Sequence, residues 1–162
     1  MQNIMTIGFA ALVLLASVTA GAASLEEQKQ LSARAIEMWG NNNLDLVDQT
    51  LAPDYINHQA PDVEGGTKTL DLASWQELLR GFHEGFADTE VEILMQVAEG
   101  DLVATRWRFV AKQTGTYLGL APTGKTISWT GIQIDRFDDG KIAETWVNWD
   151  MYHMFEQLGL LK

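Results

Sequence analysis

Apolar positions change their spacing once along this chain. Up to about Phe86 they recur every three or four residues, and after Asp88 they alternate with polar ones. Ser24-Leu25-Glu26-Glu27 reads as a capping box, with Ser24 as N-cap and Glu27 reaching back. Leu31, Ala35, Met38 and Trp39 follow at helical spacing, and the run from Gly40 to Asn43 ends that helix. A short helix is predicted from Leu44 to Leu51, stopped at Ala52-Pro53, then a brief extended segment from Asp54 to His58. A loop with Pro61, Gly65 and Gly66 is expected from Gln59 to about Ala73. Ser74-Trp75-Gln76-Glu77 reads as a second capping box, opening a helix through Leu78, Leu79, Phe82 and Phe86.

Val91, Ile93 and Met95 begin the strand-like half, and Glu99-Gly100-Asp101 is a hairpin signal. Strands are predicted from Leu102 to Lys112, from Thr126 to Phe137 and from Lys141 to Asp150, the last two joined through Asp138-Asp139-Gly140. Met151 to Leu158 forms a closing helix that Gly159 ends. Helices first and a meander afterwards make an α+β fold. A curved antiparallel sheet of four or more strands wraps over the N-terminal helices, giving a cone with an internal pocket suited to a small ligand.

An uninterrupted ladder behind Asp139-Gly140 places Asp135 opposite Glu144, Gln133 opposite Trp146 and Trp129 opposite Asp150. One face then carries Trp129, Gly131, Gln133, Asp135, Glu144, Trp146, Asn148 and Asp150. The other carries Thr130, Ile132, Ile134, Thr145, Val147 and Trp149. The mixed face, two tryptophans among amides and carboxylates, is assigned to the cavity. The apolar face is assigned to a second copy of the chain, so a homodimer through the outer sheet face is expected.

Composition narrows the function. The 162 residues hold 11 Lys and Arg against 22 Asp and Glu, a net charge of −11, with no basic stripe that would suit nucleic acid. Cysteine is absent, which removes disulfides, thiolate nucleophiles and thiolate metal sites. Ile4 to Val18 is apolar or small apart from Thr6 and Ser17, and Ala20-Gly21-Ala22 supplies a small-x-small cleavage pattern. Residues 1–23 are therefore expected to be a signal peptide and 24–162 a single domain, exported to the periplasm or beyond, with no membrane association once the leader is removed. His58, His83 and His153 are too dispersed for a metal site, so no metal is expected. A nucleophile elbow, a phosphate-binding loop and a dinucleotide fingerprint are also missing from the sequence.

Several segments taken in order resemble a known family. They are the run from Phe137 to Trp146 followed by Asp150 and Gln157-Leu158-Gly159; Asp54 to His58; Glu99-Gly100-Asp101 with Val103, Ala104 and Arg106; and Gly119 to Lys125. Together they resemble the SnoaL-like polyketide cyclases, over roughly Leu31 to Gly159. The resemblance implies the α+β cone of the nuclear transport factor 2-like superfamily. It also implies an intramolecular aldol ring closure without metal or organic cofactor, assisted by an aspartate near the end of the last strand. Asp150 matches that position. Tyr117 stands where the family often has His after Gly-Thr, so any role of that His is not carried over.

Asp150 has two readings from the residues: a carboxylate desolvated among aromatic rings and raised toward a useful pKa, or the N-cap of the helix that follows. His58 is the second catalytic candidate, to orient a carbonyl or relay a proton, against a structural role beside Asn57. Tyr55, Phe82, Arg106, Tyr117, Trp129, Gln133, Trp146 and Asn148 complete the expected substrate-binding set. Gln133 and Asn148 would serve as neutral donors to a developing enolate oxygen, and Arg106 would either meet a ligand carboxylate or pair across the sheet. The expected function is a cyclase or isomerase acting without cofactor on a small hydrophobic carbonyl compound by Asp acid/base catalysis. The alternative is a non-catalytic exported binder of a small apolar ligand in the same cavity.

Overall fold

The computed structural model describes residues 23–61 and 66–159. Apart from Ala23, the expected signal peptide lies outside the described residues. Helix α1 spans Leu25–Asn41, and its capping box forms: Glu27 N donates to Ser24 Oγ at 3.3 Å, and Ser24 N donates to Glu27 Oε2 at 2.7 Å. Asn42, at φ 55°, turns the chain out of the helix in the left-handed region that Asn tolerates. A 3-10 turn (Leu44–Leu46) and a one-turn helix α2 (Val47–Thr50) lead into strand β1 (Leu51–Pro61).

The expected loop after His58 is instead mostly strand. β1 runs on to Pro61, and β2 (Thr67–Asp71) pairs with it antiparallel. In β2 only Leu70 is buried, so this edge strand has no apolar alternation to betray it. Helix α3 (Leu72–Gly85) starts ahead of the expected box. Asp71 is its N-cap, its Oδ1 accepting from Ser74 N at 2.8 Å. The meander follows as β3 (Phe86–Glu99), β4 (Leu102–Gln113), β5 (Thr126–Asp138) and β6 (Lys141–Trp149), closed by α4 (Met151–Leu158). Phe86, expected at the end of a helix, opens β3.

The sheet order is β2-β1-β6-β5-β4-β3, with β1 and β6 parallel and every other neighbouring pair antiparallel. The sheet is therefore mixed and open, not wholly antiparallel. Helices α1 and α3 lie across one face, and α4 packs on β5. Met38, Val47, Leu79, Val103 and Ile142 fill one end of the space between the layers, and Ile36, Phe82, Phe109, Ile127 and Met154 the other. Each such side chain removed from water contributes about 1.5–3 kcal/mol.

The β5–β6 hairpin decides what faces inward. Asp139 and Gly140 both have positive φ, 45° and 76°, as a two-residue type I′ turn requires, and Phe137 pairs with Ile142 as expected. Beyond that pair the ladder slips: Arg136 faces Glu144, and Ala143 is the extra residue of a bulge. Ile142 and Ala143 are consecutive and both buried. Burying the pair keeps Glu144 half-exposed, where it pairs with Arg136 and accepts a hydrogen bond from His58. The expected pairings are thereby corrected, because Asp135 lies opposite Thr145 and Gln133 opposite Val147. Thr145, Val147 and Trp149 join Gln133 and Trp129 on the inner face, while Trp146 and Asn148 stand opposite Ile134 and Ile132 on the outer one.

Candidate active site

Between the helices and the inner face lies a cavity of about 820 Å³, counting the open space at its mouth. Its walls are aromatic: Trp39 and Trp75 from the helical side, Phe82 from α3, Trp107 and Phe109 from β4, Tyr117, and Trp129 and Trp149 from β5 and β6. Phe109 and Trp129 stack at 5.5 Å between centroids, and the Phe82 ring meets Trp39, Phe86 and Tyr117. Such walls suit a flat apolar molecule.

Polar groups gather at one end, where Tyr55, Asn57, Gln133 and Thr145 line the cavity. Tyr55 and Asn57 are two apart on β1, so they share a face, and Asn57 Nδ2 donates to Tyr55 Oη at 3.1 Å. Behind them sits Asp135, with no solvent exposure. Its carboxyl accepts from Thr145 Oγ1 at 2.6 Å, from Gln133 Nε2 at 2.8 and 3.0 Å, and from Ser32 Oγ on α1. Ser32 in turn meets Thr105 Oγ1, which accepts from Gln96 Nε2. Burial pushes the Asp135 carboxyl up from its ordinary range, against the opposing pull of the Ser32, Thr145 and Gln133 hydrogen bonds. Burial likewise pushes up the hydroxyls of Tyr55 and Tyr117.

Trp107 adds a second feature. A Cβ on Gly131 would fall 2.3 Å from its Cζ2 and 2.4 Å from its Cη2, so the indole lies directly on the glycine. Its Nε1 is buried without a hydrogen-bond partner. Among the described residues Gln28 and Thr50 carry the other such atoms, and neither lines the cavity.

Five of the expected site residues meet at the cavity: Tyr55, Phe82, Tyr117, Trp129 and Gln133. The others do not. Asp150 is exposed at the N-terminus of α4, where its Oδ1 accepts from His153 N at 2.9 Å, so it takes the capping geometry and does not face the hollow. His58 stacks on Trp146 at 4.7 Å and donates through Nε2 to Glu144 Oε2 at 2.8 Å, on the outer face. Glu144 is held below the ordinary carboxylate range by the His58 and Arg136 hydrogen bonds. Arg106 is exposed on the same outer face, and the ion pair of that strand is made by Arg108 with Glu92 at 2.5 Å. Asn57, Thr145 and Trp107 are cavity residues that the sequence reading passed over. The two-residue spacing from Tyr55 could have found Asn57. Thr145 was hidden by the bulge. No three His, Cys, Asp or Glu among the described residues gather as a metal-ligand set, and none of the helices described is long and apolar enough to cross a membrane.

This architecture is shared with solved structures. AclR, a candidate hydroxylase from Streptomyces galilaeus, is 28% identical, with a TM-score of 0.74 over 85% of this chain and 84% of that one. TsrD from Streptomyces laurentii is 25% identical, with a TM-score of 0.74 over 86% and 99%. IdmH, a candidate polyketide cyclase from Streptomyces antibioticus, is 27% identical, with a TM-score of 0.71 over 82% and 98%. No curated protein matches significantly. The family model for the SnoaL-like polyketide cyclases matches residues 29–158, from the second turn of α1 to the end of α4. With the cone and its pocket already in place, that match assigns the chain: it belongs to the SnoaL-like polyketide cyclase family.

Proposed function

We propose that this protein is a cyclase- or isomerase-type enzyme acting without cofactor on a small hydrophobic carbonyl compound. The observation that carries the reading is the convergence of Tyr55, Asn57, Gln133 and Thr145 at one end of an otherwise aromatic cavity. One Asn57 amide hydrogen is committed to Tyr55 Oη, and the second is free to meet a carbonyl oxygen as negative charge develops on it. Gln133 commits its Nε2 to Asp135, which leaves its amide oxygen to accept from a ligand hydroxyl. The aromatic walls exclude water, so these few contacts act in a low dielectric. Family membership supports the same reaction class.

The test is deuterium incorporation from D2O into 2-acetyl-1-tetralone, an enolised 1,3-diketone, followed by NMR beside a binding titration. Wild type should exchange the probe faster than buffer, and Tyr55→Phe should bind it and exchange it on the order of a hundredfold more slowly. Binding without acceleration by wild type would overturn the enzyme reading in favour of a non-catalytic small-molecule carrier.

Two further properties belong to this proposal. A second copy of the chain covers the outer sheet face, where Met95, Val97, Ile132 and Ile134 stand exposed between strands bearing Arg106, Arg108, Glu90 and Glu92. An apolar centre of this kind is complementary to itself under two-fold symmetry. Export is the second property, resting on the apolar run and small-residue site of the first 23 residues. Amino-terminal sequencing of protein from the exported fraction should begin near Ser24.

A further inference from the structure

We infer that Asp135 is the proton store of this site, reached from the cavity through the hydroxyl of Thr145. The inference rests on the proposed enzymatic reading and deepens it. It stands on the direction of the hydrogen bonds. Thr145 lines the cavity, and its Oγ1 donates to Asp135 Oδ1 at 2.6 Å. With its hydrogen given to the carboxyl, the Thr145 oxygen is left to accept from a ligand hydroxyl, so both O–H bonds point at Asp135. Gln133 Nε2 and Ser32 Oγ donate to the same carboxyl from either side, which leaves it no role but acceptor while ionised.

This polarity fits one step. A substrate hydroxyl or enol gives its proton to Thr145 Oγ1. The original Thr145 proton passes to Asp135 Oδ1. The substrate keeps the electron pair as an enolate or alkoxide, and Asp135 becomes neutral. When ring closure leaves the negative charge on a new alkoxide oxygen, the same hops in reverse return the proton to it. No oxidant, metal or added acid enters the balance. Asp135 is out of reach of both solvent and substrate, so its place in the step is to hold the proton, while Thr145 is the group that meets the ligand. Burial raises the proton affinity of the carboxyl, in the direction that uptake needs. Tyr55 is the titratable group whose charge interacts with it, and the other groups bonded to the carboxyl (Ser32, Gln133 and Thr145) are neutral.

Thr145 is the place to cut the path, because Thr145→Val removes one hydroxyl from a side chain of equal shape. The readout is the pH profile of deuterium incorporation into 2-acetyl-1-tetralone, with the affinity for the probe measured alongside. Wild type should show a limb that rises as a carboxyl ionises above its ordinary range. Thr145→Val should lose that limb and at least tenfold in rate with affinity held within about threefold, and Thr145→Ser should recover most of the loss. Asp135→Asn should show the same loss of the limb. A Thr145→Val protein that keeps the wild-type rate and limb would overturn the relay and leave the enzymatic reading standing. Wild type that neither binds nor accelerates exchange of the probe would overturn both.

Discussion

Thr145 Oγ1 donates to Asp135 Oδ1 at 2.6 Å, joining the wall of the cavity to a carboxyl that solvent does not touch. The bond ties the middle of β6 to the C-terminal part of β5, and Ser32 extends the tie to α1. Both layers of the fold therefore meet on one ionisable group.

That group sets a pH dependence of stability with a definite sign. Its folded pKa is raised, by burial first of all, so the native state binds a proton more readily than the unfolded chain does. Stability then falls as pH rises from the unfolded carboxylate value of about 4 through the raised folded value, and levels off above it. Asp135→Asn should flatten this slope. Urea unfolding at a series of pH values from 4 upward checks it, and an unchanged slope in the variant would assign the dependence to other groups.

Gly131 is the position where a single methyl should matter most. A Cβ there would fall 2.3 Å from Trp107 Cζ2, and the indole has Phe109 at 4.7 Å on another side. Gly131→Ala should cost about 1–3 kcal/mol as the ring is driven off its seat. It should also shift the tryptophan emission and weaken binding of flat ligands. Denaturation and fluorescence titration would check both effects.

Much of this was legible beforehand. The Ser24 box, the Asp139-Gly140 turn and the α4 boundaries follow from side chains that bond their own neighbours, and such signals are local. That Trp129 and Gln133 share a face came from alternation within β5, and its inward assignment came from the mix of aromatic and polar side chains on it. What sequence could not carry was the count of residues across the β5–β6 ladder. One extra residue, Ala143, reverses every later position of β6, and with it Trp146, Asn148 and the line of sight of Asp150. The parallel β1–β6 pairing and the β2 edge were equally hidden, because neither is marked by local turn chemistry. Asp135 lay on the correct face from the start, but its value depends on Ser32, a hundred residues away in the chain.

Asp150 gives a prediction that separates capping from chemistry. Its side chain caps α4 and faces solvent. Asp150→Ala should lose about 1 kcal/mol of stability, near the usual cost of an N-cap, while probe affinity and exchange rate stay as in wild type. Calorimetry and the exchange assay check the two halves. A rate loss larger than the loss of folded protein would return Asp150 to the reaction.

The outer sheet face supplies the last prediction. Met95 and Val97 are 56% and 58% exposed, and Ile132 and Ile134 are 43% and 40% exposed, on neighbouring strands of one surface. Side chains so apolar in so continuous a row cost free energy in water unless something covers them. Arg106 lies next to Met95 across the ladder, and Arg108 pairs with Glu92 within the chain, so a two-fold copy can set apolar centre against apolar centre inside a charged rim. Wild type should sediment with twice the mass of one chain. Ile132→Asp with Val97→Asp should sediment as a monomer with its cavity binding intact, because neither residue lines the cavity. A wild-type monomer at tens of micromolar would remove the second copy as the occupant of this face.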